Sequence, residues 1–205
     1  MAKVTAAITT SVDGYVAGPN DGPGNGLGDG GERLHYWVFG GPWTYDEEEP
    51  KGEPGGEDAA WISKVIAKMG AVVGGRATYE ASGHWGDKNP WDVPFFIVTH
   101  RPEDEPGDGA FTFVDGVRPA IDRAVAAAGD KDVHVMGGAD VIRQALEAGL
   151  VDELTIIVAP VVLGGGKRLF EGFTESLDLE HLGARQSQYA TFIDYQVKRE
   201  PALRD

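Results

Sequence analysis

A chain of 205 residues with 41% hydrophobic and 25% charged content is long enough to bury one sizeable core, and a single domain is the simplest division. The absence of cysteine excludes disulfides and thiolate metal sites, and no apolar run approaches the ~20 residues of a transmembrane helix. A formal net charge of −15 argues against nucleic acid or an anionic membrane as partner, but leaves room for a small anionic ligand held by a few local donors.

The amino terminus, Met1-Ala2-Lys3-Val4-Thr5, has no secretory apolar segment and starts a strand, so a cytoplasmic location is expected. Residues 3–10 are small and β-branched and read as an inner strand. Ser11-Val12-Asp13-Gly14-Tyr15-Val16-Ala17-Gly18 follows, with an Asp-Gly turn signal in its middle. Residues 18–56 are then rich in glycine, proline and acid, including Glu47-Glu48-Glu49, around an aromatic island at His35-Tyr36-Trp37-Val38-Phe39. A connection of that length inside a compact domain reads as a functional or disordered loop insertion.

Glu57 to Met69 is expected to be a helix with Trp61, Ile62, Val65, Ile66 and Met69 on one face, ended by Gly70. A short buried strand (71–74) leads into a helical turn beginning at Gly75-Arg76. Strands are expected at 94–99 and 110–114, and a helix at 117–128 with Pro119 near its start and Gly129 past its end. Val133 to Met136 form the next strand, followed by Gly137-Gly138 and a helix carrying Val141, Ile142, Ala145 and Leu146, with Gly149 as its terminator. Glu153 to Pro160 is an apolar strand, 163–170 a glycine-rich loop, and 177–198 two strands meeting near Ser187 and Gln188. Strands alternating with helices and closing on a hairpin predict an α/β sandwich with a mixed sheet.

Several phosphate and metal motifs fail on context. Gly26-Leu27-Gly28-Asp29-Gly30-Gly31 matches G-x-G-x-x-G, but no strand precedes it, no helix follows, and it is acidic. Gly166-Lys167 lacks the hydroxyl residue and first glycine of a Walker A loop. The histidines at 35, 84, 100, 134 and 181 show no metal-ligand spacing, and there is no Gly-x-Ser-x-Gly elbow. Three strand ends remain. Gly74-Gly75-Arg76-Ala77-Thr78 sets glycines and a cation at a strand-to-helix junction, and Thr99-His100-Arg101 sets a hydroxyl and two basic groups at a strand end. Met136-Gly137-Gly138-Ala139-Asp140-Val141 offers a bare helix N-terminus, where a dinucleotide's pyrophosphate fits. Parallel strands gather their carboxyl ends along one edge, so the three together indicate a phosphate-bearing ligand, with Arg76, His100 and Arg101 suited to a 2′-phosphate. Alone, Arg76 or Arg101 reads in the first instance as a solvated surface residue.

These segments resemble the dihydrofolate-reductase-like superfamily, in the branch of the reductase domain of the bifunctional riboflavin-pathway deaminase-reductase. Ser11-Val12-Asp13-Gly14-Tyr15-Val16-Ala17 is similar to the family's S-x-D-G-x-I-A, and Gly75-Arg76-Ala77-Thr78-Tyr79-Glu80 to its G-R-x-T-Y-E. Met136-Gly137-Gly138-Ala139 resembles its G-G helix start, and Asp152-Glu153-Leu154 through Leu169-Phe170 its late strand and loop. The resemblance spans nearly the whole chain. It implies a three-layer sandwich with a mostly parallel central sheet and a C-terminal antiparallel hairpin, and a homodimer.

It also implies NADPH as cofactor. Gly75, Arg76, Ala77 and Thr78 would then hold the adenosine phosphates, Thr99, His100 and Arg101 would flank the adenine end, and Met136 to Val141 would cradle the pyrophosphate. Val16 and Ala17 would lie by the nicotinamide. The implied activity is hydride transfer to a flat conjugated heterocycle that is pterin-, pyrimidine- or riboflavin-precursor-like. Rival readings are a nucleotide-sensing module without turnover, and a reductase using a flavin or deazaflavin. The buried acid of dihydrofolate reductases has one positional counterpart, Asp58, although its place before the apolar run reads in the first instance as a helix N-cap. Asp13, Trp37 and Trp43 are candidate substrate contacts, the tryptophans through stacking or, alternatively, as core. Trp85 reads as core, and Lys167-Arg168 as either a greeting for an anionic substrate or a solvated pair.

Overall fold

The computed structural model describes residues 2–45, 52–107, 109–174 and 176–198, so Glu47-Glu48-Glu49 of the insertion lie outside the described residues. Ten strands are present among them: β1 (Val4–Ser11), β2 (Tyr15–Ala17), β3 (Met69–Gly75), β4 (Phe95–Thr99), β5 (Thr112–Asp115), β6 (Asp132–Gly137), β7 (Glu153–Ala159), β8 (Lys167–Arg168), β9 (Leu179–Gln186) and β10 (Thr191–Val197). The α-helices are α1 (Gly56–Lys68), α2 (Arg76–Ala81), α3 (Val117–Ala128) and α4 (Ala139–Glu147).

Eight strands form one sheet in the order β5-β4-β3-β6-β1-β7-β10-β9. The first six run parallel, whereas β10 pairs antiparallel with both β7 and β9. Parallel pairing requires crossovers, and α3 and α4 supply two of them. Their apolar stripes, Ala120, Ile121 and Ala124 on α3 and Ile142, Ala145 and Leu146 on α4, pack against Ala6, Ala71, Val73, Val133 and Val135 of the sheet. The other face is covered by two smaller clusters. Trp37, Trp61 and Phe192 pack over Ala7 and Ile157, and Tyr79, Phe95, Phe111 and Phe113 pack over Val72 and Ile97. Three layers result, as expected of an α/β fold of this type.

Local chemistry explains the boundaries. Helix α4 ends in a Schellman arrangement: Gly149, at φ 65°, donates to Leu146 O (3.0 Å), and Leu150 donates to Ala145 O (2.9 Å). Helix α3 occupies the expected residues, with Gly129 as its C-cap at φ 62°.

Three boundaries differ from the sequence reading. Met69 and Gly70 open β3 instead of closing α1, because all of Met69–Gly75 is buried and pairs in the sheet. Ile66 is 46% exposed, so the buried stripe of α1 is 58-61-62-65 and not the one built on Met69. The strand expected at 110–114 lies at Thr112–Asp115.

Candidate functional site

Six parallel strands point their carboxyl ends the same way, which brings Asp115, Thr99, Gly75, Gly137, Ser11 and Ala159 to one edge in that spatial order. The register bears out the alignment: Thr99 faces Asp115, Gly74 faces Gly137, and Ser11 faces Ala159. The three junctions singled out in the sequence are therefore neighbours.

At the β3/β6 corner the backbone is bare. A Cβ on Gly75 would stand 2.9 Å from Val141 Cγ2, and one on Gly138 would stand 3.0 Å from Thr78 Oγ1. Gly137 holds φ +133°, a conformation that side chains rarely adopt, and the Gly137–Gly138 peptide is cis. The first-turn amides of Ala139 and Asp140 have no acceptor inside α4, so the corner presents backbone donors where no side chain stands, the chemistry that could hold an anionic group. Asp140 is turned away from it to ion-pair with Arg143, whose Nη1 also donates to Arg168 O and Leu169 O, both at 3.2 Å. Arg143 thereby anchors the glycine-rich loop against α4. Val141 and Ala139 are buried, and Met136 packs partly buried on the aromatic cluster.

One strand further out lies the basic cluster, and its cations have partners. Arg76 Nε donates to Glu80 Oε1 at 2.7 Å, and its Nη1 lies 3.0 Å from Asp104 Oδ2. The guanidinium sits 5.3 Å over the Phe113 ring. The Glu80 bond, followed by Asp104, holds the Arg76 pKa above its ordinary value against the opposing effect of burial. Arg101 Nε approaches the same Asp104 oxygen at 3.4 Å, and His100 Nδ1 lies 3.2 Å from Asp115 Oδ1. Thr99 is buried, and its hydroxyl accepts the Arg101 amide (3.1 Å). Ala77 faces outward and Thr78 is partly buried, on the cradle side.

At the other end of the edge, Val16 and Ala17 lie in β2, which pairs with β8 of the glycine-rich loop. Asp13 is a loop anchor: its carboxylate accepts Leu163 N (3.1 Å) and Gly164 N (2.8 Å). The Ser11 hydroxyl, with those amides, holds its pKa down to about 2. Lys167 ion-pairs with Asp21 at 2.5 Å, and Arg168 lies 4.3 Å over the Tyr15 ring, so neither cation of the Lys-Arg pair is unengaged.

The insertion packs over this end through a 3-10 helix at Gly31–His35. Trp37 is 6% exposed, wedged edge-on against Trp61 and Phe192, with Nε1 donating to Thr9 Oγ1 at 3.0 Å. It is core. Trp43 stacks edge-on between Phe39 and Tyr45 and donates to Glu32 O (3.0 Å), which makes it a brace within the insertion. Trp85 packs on Phe95 and Phe111.

Asp58 is not an N-cap. Gly55 occupies that position, and Asp58 is a first-turn residue 4% exposed on the buried stripe of α1. Burial pushes its carboxyl pKa up; Ser187 draws it partly back. Its Oδ1 has no hydrogen-bond partner among the described residues. The 58-61-62-65 spacing could have revealed this, because it puts the acid in register with Trp61 and Ile62.

Against the β9–β10 turn opens a cavity of about 270 Å³ lined by Arg33, Tyr36, Pro160, Val161, Val162 and Tyr189. The sequence reading missed these residues as a site. Pro160 to Val162 follow β7, whereas Tyr36 comes from the insertion and Tyr189 from the turn itself, and the two rings meet edge-on at 6.2 Å.

The architecture is that of the dihydrofolate-reductase-like proteins. A putative riboflavin biosynthesis protein of Shewanella sp. PV-4 superimposes with a TM-score of 0.70 at 22% identity, covering 96% of this chain and 99% of its own. A pyrimidine reductase-like protein of Corynebacterium diphtheriae gives 0.62 at 16% identity, covering 97% and 93%. Dihydrofolate reductase of Enterococcus faecalis, complexed with NADP(H) and RAB-propyl, gives 0.59 at 16% identity, covering 96% and 97%.

The chain belongs to the RibD C-terminal domain family, whose model matches residues 2–191. Family and fold together are those of reductase-like proteins. In sequence, the chain is 28% identical over 151 residues to the uncharacterized protein YwjB of Bacillus subtilis (73% of this chain, 83% of that one). It is 32% identical over 135 residues to the uncharacterized protein YyaP of the same organism (60% and 71%). Among the described residues, no helix is long and apolar enough to cross a membrane and no group of side chains is arranged to hold a metal ion.

Proposed function

We propose that the chain is an NADPH-dependent reductase of a flat conjugated heterocycle of pterin, pyrimidine or riboflavin-precursor type. The observation that carries this reading is the convergence of three junctions on one edge, with a backbone cradle at Gly75 and Gly138 that any side chain would fill. A dinucleotide laid along that edge has its adenosine at Thr99, His100 and Arg101, its pyrophosphate at 137–141, and its nicotinamide toward Val16 and Ala17.

When bound, the cofactor supplies the hydride. The chain's own residues position the acceptor and exclude water. The cavity at Tyr36 and Tyr189 offers aromatic and apolar walls to a planar ring, with Arg33 at hand for a polar substituent. Asp58 lies against Ser187, two residues from Tyr189, and burial favours its protonated form, which suits it to a proton-donating role.

Titration with NADPH and NADH, followed through cofactor fluorescence, tests the reading. NADPH is expected to bind in the micromolar range, and Arg76→Ala to weaken it about tenfold or more, as loss of a charge-assisted hydrogen bond does. Absence of NADPH binding, or an unchanged affinity in Arg76→Ala, would sink the assignment. Anaerobic mixing of the NADPH complex with a panel of heterocycles then separates a reductase, which loses reduced-nicotinamide absorbance with at least one acceptor, from a binding module, which does not.

A further inference from the structure

The adenosine corner holds more negative charge than phosphate binding alone would call for. Arg76, His100 and Arg101 are faced by Glu80, Asp104 and Asp115 at 2.7 to 3.4 Å. These carboxylates differ in kind. Glu80 shares helix α2 with Arg76, four residues on, and takes Nε, the nitrogen nearest the chain. Asp115 ends β5 and ion-pairs with His100, with no contact to Arg76 or Arg101 among the described ion pairs.

Asp104 comes from a separate segment, the short 3-10 turn Pro102–Asp104 that follows β4. A single oxygen, Oδ2, lies 3.0 Å from Arg76 Nη1 and 3.4 Å from Arg101 Nε. It thus occupies the point between two guanidinium groups where a phosphate oxygen would gain most. The Asp104 side chain is 36% exposed, so it can swing into solvent without repacking the core.

We propose that Asp104 is a specificity-determining residue that competes with the cofactor's 2′-phosphate for Arg76 and Arg101, and so narrows the preference for NADPH over NADH. This rests on the dinucleotide reading of the strand-carboxyl edge. A 2′-phosphate displaces the carboxylate before it gains both cations, whereas NADH, with a 2′-hydroxyl, leaves the Arg76–Asp104–Arg101 bridge in place. Removing the carboxylate charge therefore favours one dinucleotide and leaves the other alone.

The test is parallel fluorescence titration of NADPH and NADH against the unaltered protein and Asp104→Asn, with thermal unfolding of both proteins to check that the exposed substitution leaves the fold intact. Asp104→Asn is expected to tighten NADPH about five- to tenfold while NADH stays within about twofold, the range of one charge-assisted contact exchanged for another. Equal shifts for the two dinucleotides, or no shift, would overturn the competition. Weaker NADPH binding in Asp104→Asn would overturn it too, and would make Asp104 a residue that aims Arg76. If neither dinucleotide binds either protein, the dinucleotide reading itself falls and takes this inference with it.

Discussion

The two ends of the strand-carboxyl edge are built in opposite ways. The β3/β4/β6 end is backbone and charge: glycines at 75, 137 and 138, a helix start at Ala139, and basic groups that follow directly on the strands. The β7/β10 end is side-chain volume, where Trp37, Trp61 and Phe192 support a cavity walled by Tyr36 and Tyr189. The first end suits what dinucleotides share. The second is assembled from a long insertion and a hairpin turn, the parts of a domain freest to vary, and so is where substrate choice would reside. On the proposed reading, a cofactor corner of general chemistry joined to an idiosyncratic acceptor corner lets one fold serve different acceptors.

The contrast can be broken from either side. The largest effect is expected at the packed end. Trp37→Ala removes a 6% exposed indole from the centre of its cluster and should cost about 3–5 kcal/mol of stability in urea unfolding. A cost below about 1 kcal/mol would mean that the ring faces the cleft after all.

At the bare end the effect should fall on binding instead. Gly138→Leu drives a side chain toward Thr78 Oγ1, 3.0 Å from its Cβ, and should weaken NADPH about 100-fold, roughly 2.7 kcal/mol, by filling the cradle. Retained affinity would move the pyrophosphate elsewhere.

Acid should loosen both ends. His35 in the insertion and His134 on β6 are each held down to about 4 by burial. In the unfolded chain a histidine takes up its proton near 6.5, so between about 6.5 and 4 the unfolded state binds more protons. Their contribution is complete above about pH 6.5 and is lost as pH falls toward 4, on the order of 2 kcal/mol each once the half-buried position of both rings is allowed for. Urea midpoints measured from about pH 8 to 4.5 should fall accordingly, and His35→Gln should remove about half of the slope. A flat profile would show both imidazoles to be solvated.

Asp58 has the reverse sign. Its raised pKa means that the folded state disfavours the carboxylate, so wild-type stability declines as pH rises past the ordinary carboxyl range. Asp58→Asn should therefore stabilise the protein near pH 8 by about 1 kcal/mol, while turnover falls if the acid donates a proton. A destabilised Asp58→Asn would mean that the charge is satisfied where it stands.

Legibility in the sequence follows the distance over which each feature is encoded. Helix α3, the stop of α4 at Gly149 and the cradle at 137–141 are readable because strand, glycine and helix start are successive in the chain. The end of α1 is misread because the apolar run continues from helix into the buried strand β3, where helical and strand periodicities both accommodate Met69. Asp58 is ambiguous in sequence because its type suits a cap, although its position on the Trp61 stripe suits burial.

By itself, the sequence determined the α/β class, the order of the elements and the three strand-to-loop junctions that meet at one edge, since those depend on periodicity, turn chemistry and residues within about ten positions of one another. Only the tertiary structure decided that Asp104 stands between Arg76 and Arg101, that Trp37 is core, and that Arg33, Tyr36, Pro160, Val161, Val162 and Tyr189 line one cavity. Those depend on strand order and on which side chains exclude water from one another, neither of which has a local signature.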